Sequence, residues 1–315
     1  MKRVLQVLVA LFLLWLVVHN LDAEALVVAL QRLRFWPVAA AIVLFFLAWC
    51  LATWKWRLLW RKATWLEMLK ANFAGQFYSM VLPGQLAGEI VKTYRLGRRF
   101  SDTAGVAASV LVDRATGLVG LLLLAFLGVL LSTSAAPAPA VVMLSVSAAT
   151  VLCALFAITL PRVSDAATSA ITRIGERYRL LRPVSAKIVE LLSAWVSLMS
   201  SPRTILASVC LGAAFQALCV GANLIIAFDL GIEVGFFEWS WIFGLVSLAL
   251  VLPITIAGFG VREGAYAGLL GMVGVSIEGA VAVSIVMFGI SLLGVLVGGL
   301  FELAYSMRPR PGSPR

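Results

Sequence analysis

Six charged side chains stand in or beside apolar stretches of this sequence: Glu89, Lys92, the adjacent pair Asp113–Arg114 and the adjacent pair Arg262–Glu263. An ionisable group at the centre of a bilayer costs on the order of 2.5–3.5 kcal/mol on insertion scales, so such groups pair with one another or line a pathway. Asp113 and Arg114 fall ten or so residues into the apolar run 104–131, which is about 15 Å along a helix. Glu89, Asp113, Arg114, Arg262 and Glu263 together make three acids against two arginines, so ion pairing inside a helix bundle is expected. Each arginine also presents a planar fork that matches phosphate oxygens. The carboxylates can pair with those arginines, with a cationic headgroup or with a proton. Purely structural salt bridges are the competing reading. Metal and triad chemistry find little footing: the single histidine is His19, and Cys50, Cys153, Cys210 and Cys219 all lie inside apolar runs with no C-x-x-C pair. No metal site and no cofactor is expected.

Two helix breaks accompany these charges. Val81-Leu82-Pro83-Gly84-Gln85-Leu86-Ala87-Gly88 precedes Glu89, and its pattern V-L-P-x-x-x-A-G returns as Val251-Leu252-Pro253-Ile254-Thr255-Ile256-Ala257-Gly258, followed by Gly260 and then Glu263. Proline and glycine interrupt a helix, and the freed backbone groups are tolerated at membrane depth only inside protein or against a water-filled cavity. Pro83, Gly84, Gly88, Pro253, Gly258 and Gly260 are therefore expected to line the same site as the six charges.

The elements that must position these residues are membrane helices. Of 315 residues, 62% are hydrophobic and 13% charged, and the mean hydropathy is +1.02. Soluble domains have about 45–50% apolar and 25% charged residues. Apolar runs near 20 residues recur along the chain, each long enough for a hydrocarbon core of about 30 Å, and they lack the alternation of barrel strands. The first run, 4–18, follows Lys2 and Arg3; it reads as a membrane helix, with a cleavable signal peptide as the alternative.

The net charge of +10 does not point to nucleic acid, because its distribution is one-sided. With the N-terminus in the cytoplasm, 21 of the 25 basic residues fall on the inner side and only Arg32 and Arg34 outside, against Asp22, Glu24, Asp229, Glu233, Glu238 and Glu278. This is the positive-inside pattern. It predicts a multi-pass protein of a bacterial-type inner (plasma) membrane with both termini cytoplasmic, whose basic loops attract anionic inner-leaflet lipids. Trp54, Trp56, Trp60 and Trp65 group near the inner basic cluster, and Trp36, Trp239 and Trp241 group at the outer side, as interfacial belts do.

This orientation constrains the breaks. The segment between the second run and the basic block Lys92–Arg99 must enter and leave from the inside, whereas 239–275 must enter and leave from the outside. The expected fold is therefore all-α, a polytopic integral membrane protein with two inverted-topology halves and two broken, re-entrant helical hairpins meeting near the midplane. It forms a single transmembrane domain, 1–315, with a first half 1–160, an amphipathic cytoplasmic connector 161–202 and a second half 203–315. The connector reads as two helices lying on the inner membrane surface, separated by Pro183.

The combination Asn72…Leu82-Pro83…Ala87-Gly88-Glu89, Lys92, Val110…Asp113-Arg114 and Pro253…Ala257-Gly258-Phe259-Gly260-Val261-Arg262-Glu263 resembles the lysylphosphatidylglycerol synthase transmembrane region. This is the flippase-like domain of the bacterial multiple peptide resistance factor and of many stand-alone membrane proteins. The resemblance spans nearly the whole chain and implies a lipid-translocating domain with Glu89, Arg114, Arg262 and Glu263 as substrate contacts. Two positions depart from the family pattern. Ala87-Gly88-Glu89 with Lys92 stands where Gly-Gly-Glu with an arginine is frequent, and Asp113 stands where glutamate is common. The soluble aminoacyl-transfer domain of the full-length synthases is not among these residues, so lipid aminoacylation is not expected of them.

The leading expectation is a flippase that moves a phosphate-bearing amphiphilic lipid between leaflets and is not an enzyme. No nucleotide-binding P-loop is present, so the drive is expected from an ion gradient, mass action or a partner. One alternative is a membrane-embedded lipid-linked transferase using Glu89 or Asp113 as a base. Another is a membrane anchor for a separate lipid-modifying enzyme.

Overall fold

The structure, a computed structural model, describes residues 19, 22–81, 87–132, 136–178, 182–251, 258 and 260–306. The expected breaks at Pro83, Gly84 and Pro253 lie outside the described residues. Among the described residues the chain forms twelve helices and no strand: α1 (Ala23–Gln31), α2 (Phe35–Leu59), α3 (Trp65–Val81), α4 (Ala87–Phe100), α5 (Thr103–Leu131), α6 (Ala138–Thr159), α7 (Pro161–Arg177), α8 (Arg182–Met199), α9 (Pro202–Asp229), α10 (Phe236–Val251), α11 (Val261–Gly271) and α12 (Ile277–Ser306). Five of them, α2, α5, α6, α9 and α12, are long and apolar enough to cross a membrane. The chain is an all-α polytopic membrane protein.

The long helix α5 is the reference axis, at 29 residues and about 44 Å. At its start Asp102 caps the helix, accepting from the Gly105 N–H at 3.0 Å. The same carboxylate receives the Trp60 indole N–H at 3.0 Å and the Lys62 ammonium at 2.7 Å. Burial pushes the Asp102 pKa up, but the hydrogen bonds from Lys62, Trp60 and Gly105 outweigh it and hold the carboxyl below its usual range. This is the basic end of the bundle. At the other end Ser132 donates to buried Glu238 at 2.9 Å. Arg34 likewise meets Asp229 there through its backbone N–H at 2.7 Å and its Nε at 2.6 Å.

Helices α2, α5, α9 and α10 pack around an apolar core that includes Ala41, Ala125, Val220, Ile226, Trp241 and Ile242. Small residues let backbones approach where no hydrophobic driving force exists between helices in lipid. Gly120 of α5 faces the α9 backbone at Gly212–Ala213, and Gly298 of α12 lies against the Phe73 carbonyl of α3.

Two antiparallel helix pairs carry the site. In α3–α4, Glu67 pairs with Arg99, Asn72 with Lys92, and Gly75 lies against Gly88. In α10–α11, the Trp239 and Tyr266 rings lie 5.9 Å apart, and Gly258 lies under Leu250. The first pair opens at the basic end, where Glu67 and Arg99 sit near the start of α5. The second opens at the opposite end, where Glu238 meets Ser132.

The connector is helical in both expected pieces, with Pro183 inside the first turn of α8. It does more than lie on a surface. Helix α8 packs on both α7 and α5, and its Trp195 is buried with Leu59, Val112 and Ala115. The indole fills a gap beside α5 that the two-helix reading did not foresee.

Candidate functional site

A cavity of about 280 Å³ opens where the two helix pairs meet α5 and α12. Its walls come from Asn72, Gln76 and Ser79 of α3, Glu89 and Lys92 of α4, Arg114 of α5, Arg262 of α11, and Phe288 and Ser291 of α12. Four of the six charges singled out from the sequence therefore share one space. They arrive from two elements on the first helix pair's side and one on the second's.

Glu89 is the hub. Its Oε1 accepts from the Arg114 guanidinium, and its Oε2 lies 2.6 Å from the Lys92 ammonium one helical turn on. Lys92 is nearly sealed, at 7% side-chain exposure. It also donates to Asn72 Oδ1 at 3.3 Å and lies 4.6 Å over the Trp56 ring. Asn72 in turn donates to Thr53 Oγ1 at 3.0 Å, and that hydroxyl donates to the Trp49 carbonyl at 2.9 Å. This chain of partners fixes Lys92, and Lys92 fixes Glu89. Among the described residues Arg114 is bound by Glu89 alone, and it is 59% exposed.

Arg262 is the second cation. Its plane stacks 4.5 Å over Phe288, and its Nε reaches Glu263 Oε1 at 3.4 Å. Its Nη2 is buried and has no hydrogen-bond partner among the described residues, and neither has the buried Gln76 Oε1 on the same cavity. Orphaned buried polar atoms are rare in native proteins and call for a ligand, ion or water. Counting the wall alone, one carboxylate faces three cations, so the cavity suits an anion.

Glu263 is held elsewhere. Its Oε2 accepts the Gly260 N–H at 2.8 Å and its Oε1 the Ser284 hydroxyl at 3.2 Å. This is the reach-back half of a capping box. Glu263 thus closes the first turn of α11 and aligns Arg262 beside it, without lining the cavity. Gly258 and Gly260, at φ of 77° and 80°, provide the left-handed turns that bring the chain into α11; a side chain is strained there. Asp113 also points away from the cavity: its Oδ1 and its carbonyl receive Lys55 Nζ at 3.1 and 2.6 Å. Lys55 stands four residues before the end of α2. Asp113 is thus held near that helix end, where Trp60, just beyond it, bonds Asp102 at the start of α5.

Gly88 belongs to the scaffold. A Cβ there would run into the Gly75 carbonyl, so glycine is what lets α3 and α4 lie close enough for Lys92 to reach Asn72. The sequence reading missed Gln76, Ser79, Trp49, Phe288 and Ser291 and met Asn72 only in a family pattern. A signal was present: Asn72, Gln76 and Ser79 recur at i, i+4 and i+7, which puts three polar groups on one face of α3.

The family described as the lysylphosphatidylglycerol synthase TM region matches residues 3–299. No curated protein and no solved structure matches the chain.

Proposed function

Because the chain belongs to the lysylphosphatidylglycerol synthase TM region family, we propose that it is a lipid flippase. In this reading it moves a phosphate-bearing amphiphilic lipid between leaflets of a bacterial-type inner membrane, basic end inward. The observation that carries the reading is that Glu89 and Arg262, from helix pairs opening at opposite ends of α5, and Arg114 of α5 line one cavity with a spare guanidinium nitrogen.

Arg262 takes the headgroup phosphate through its free Nη2, charge-assisted hydrogen bonds of this kind being roughly twice as strong as neutral ones. Arg114, tethered on one side by Glu89, supplies a second cation that can swing toward the phosphate. Glu89 keeps the arginine from binding the anion irreversibly, and it offers its carboxylate to a cationic headgroup when Arg114 swings away. Lys92, Asp113 and Glu263 position these groups. The tails stay in lipid while only the headgroup uses the cavity. The two helix pairs, related as inverted halves, expose the cavity alternately to each side. Glu89 is fully occupied by two cations, which argues for substrate positioning over the proton-abstracting role a transferase would need.

The test is lipid retention. Protein purified from native membranes in mild detergent is expected to carry a phosphate-bearing lipid, read by mass spectrometry, and Arg262→Ala and Glu89→Gln are expected to lose it. Equal retention by wild type and both variants would remove the cavity from the account.

A further inference from the structure

A second, larger cavity of about 590 Å³ lies at the basic end, between the ends of α3, α4 and α12. Four cations, Lys70, Arg95, Arg98 and Arg99, stand on its walls with two carboxylates, Glu67 and Glu302. Both carboxylates are already taken: Arg95 grips Glu302 with both terminal guanidinium nitrogens, and Arg99 pairs with Glu67. Lys70 and Arg98 have no carboxylate partner among the described residues. Lys70 lies 5.9 Å over the Phe301 ring, and Arg98 donates to the Tyr94 hydroxyl at 2.8 Å.

We infer that this cavity is a separate binding site for a phosphate-bearing anion, held by Lys70 and Arg98. Two cations on facing helices, with the wall's two acids consumed by Arg95 and Arg99, leave a net charge of +2 in a concave, aromatic-walled space. Such walls with low dielectric strengthen the attraction for an anion. The rings of Tyr94, Phe301 and Tyr305 add apolar surface suited to the glycerol and first methylenes of a lipid.

The site is distinct from the Glu89–Arg262 cavity, although both use α3, α4 and α12. Lys92 and Arg99 are seven residues apart on α4, about 10 Å. Between them Arg95 ties α4 to Glu302 of α12 and donates to the Tyr78 hydroxyl at 3.2 Å. This site rests on binding alone and does not require transport.

Isothermal titration of the full chain in a nonionic detergent tests it. The probes are dihexanoyl phosphatidylglycerol in one arm and inorganic phosphate in the other. Wild type is expected to bind the lipid here, and Arg262→Ala, which removes the deeper cavity's phosphate contact, is expected to retain the binding event that belongs to this site. Lys70→Ala/Arg98→Ala is expected to weaken binding about tenfold or more, and Lys70→Arg/Arg98→Lys to restore it, which separates lost charge from lost folding. A response to both probes marks a site for any phosphate; a response to the lipid alone marks a headgroup site. No binding by wild type, or equal affinity in wild type and the alanine pair, overturns the inference. Loss in Arg262→Ala with the alanine pair unaffected assigns the anion to the deeper cavity and also overturns it.

Discussion

At the scale of single residues the account turns on a buried lysine with one carboxylate. Lys92 gives up its hydration for Glu89, Asn72 and the Trp56 ring. Removing one member of such a pair leaves an uncompensated charge and costs about 3–5 kcal/mol, whereas replacing both with apolar or neutral groups is often close to neutral. Glu89→Gln is thus expected to lower the melting temperature in detergent clearly, and Glu89→Gln/Lys92→Met to recover most of the loss. Recovered stability without recovered lipid retention is the expected pattern, and it separates Glu89 as a substrate group from Glu89 as a scaffold. Arg262 behaves differently, because its stack on Phe288 and its bond to Glu263 leave one nitrogen free. Arg262→Lys keeps the charge but loses the fork, so its affinity for the retained lipid is expected to fall between those of wild type and Arg262→Ala in a competition assay.

At the scale of elements, the close approach of α3 and α4 is set by Gly75 and Gly88. Gly88→Ala is expected to cost about 1–3 kcal/mol, the usual range for overpacking, and to weaken the Lys92–Asn72 contact, read as a lower melting temperature. The start of α5 gives a pH test. The folded pKa of Asp102 lies below its unfolded value of about 3.9. Its contribution is therefore complete above about pH 4 and is lost as pH falls through the lower folded value. Asp102→Asn is expected to melt earlier at neutral pH and to lose less stability on acidification than wild type.

Much of this level was legible beforehand. Apolar run length located α2, α5, α6, α9 and α12, and the one-sided arginines and lysines foretold which loops share an end. Ion pairing among the deep charges was expected from the cost of isolated charge in lipid, with the partners left open; Glu89 with Arg114 is one such pair. Other features depend on distance across the fold and leave no trace in spacing. Asp113 turns to Lys55, a partner supplied by another helix. Glu263 turns back to its own helix start because the Gly260 N–H there lacks an intrahelical partner. Trp195 falls on the apolar face that helical spacing gives, but the period along 182–199 does not tell that this face covers α5.

At the scale of the whole molecule, the two ends of α5 carry different chemistry. Lys62, Arg98 and Arg99 gather at one, and Asp229, Glu233 and Glu238 at the other. With Cys50, Cys153, Cys210 and Cys219 replaced, a single cysteine at Arg61 is expected to react with an impermeant thiol reagent only from the cytoplasmic side, and one at Glu233 only from the other side. Labelling of both from one side would dismantle the orientation. The central claim is that one cavity, reached by helix pairs from both ends, passes a lipid headgroup. It is tested most directly by reconstituting the purified chain in liposomes with fluorescent phospholipids, native lipid extract as competitor, and an outer-leaflet quencher. The account predicts leaflet exchange by wild type, reduced by the competing extract and lost in both Arg262→Ala and the stability-restored Glu89→Gln/Lys92→Met. Exchange at the wild-type rate in these folded variants would contradict it.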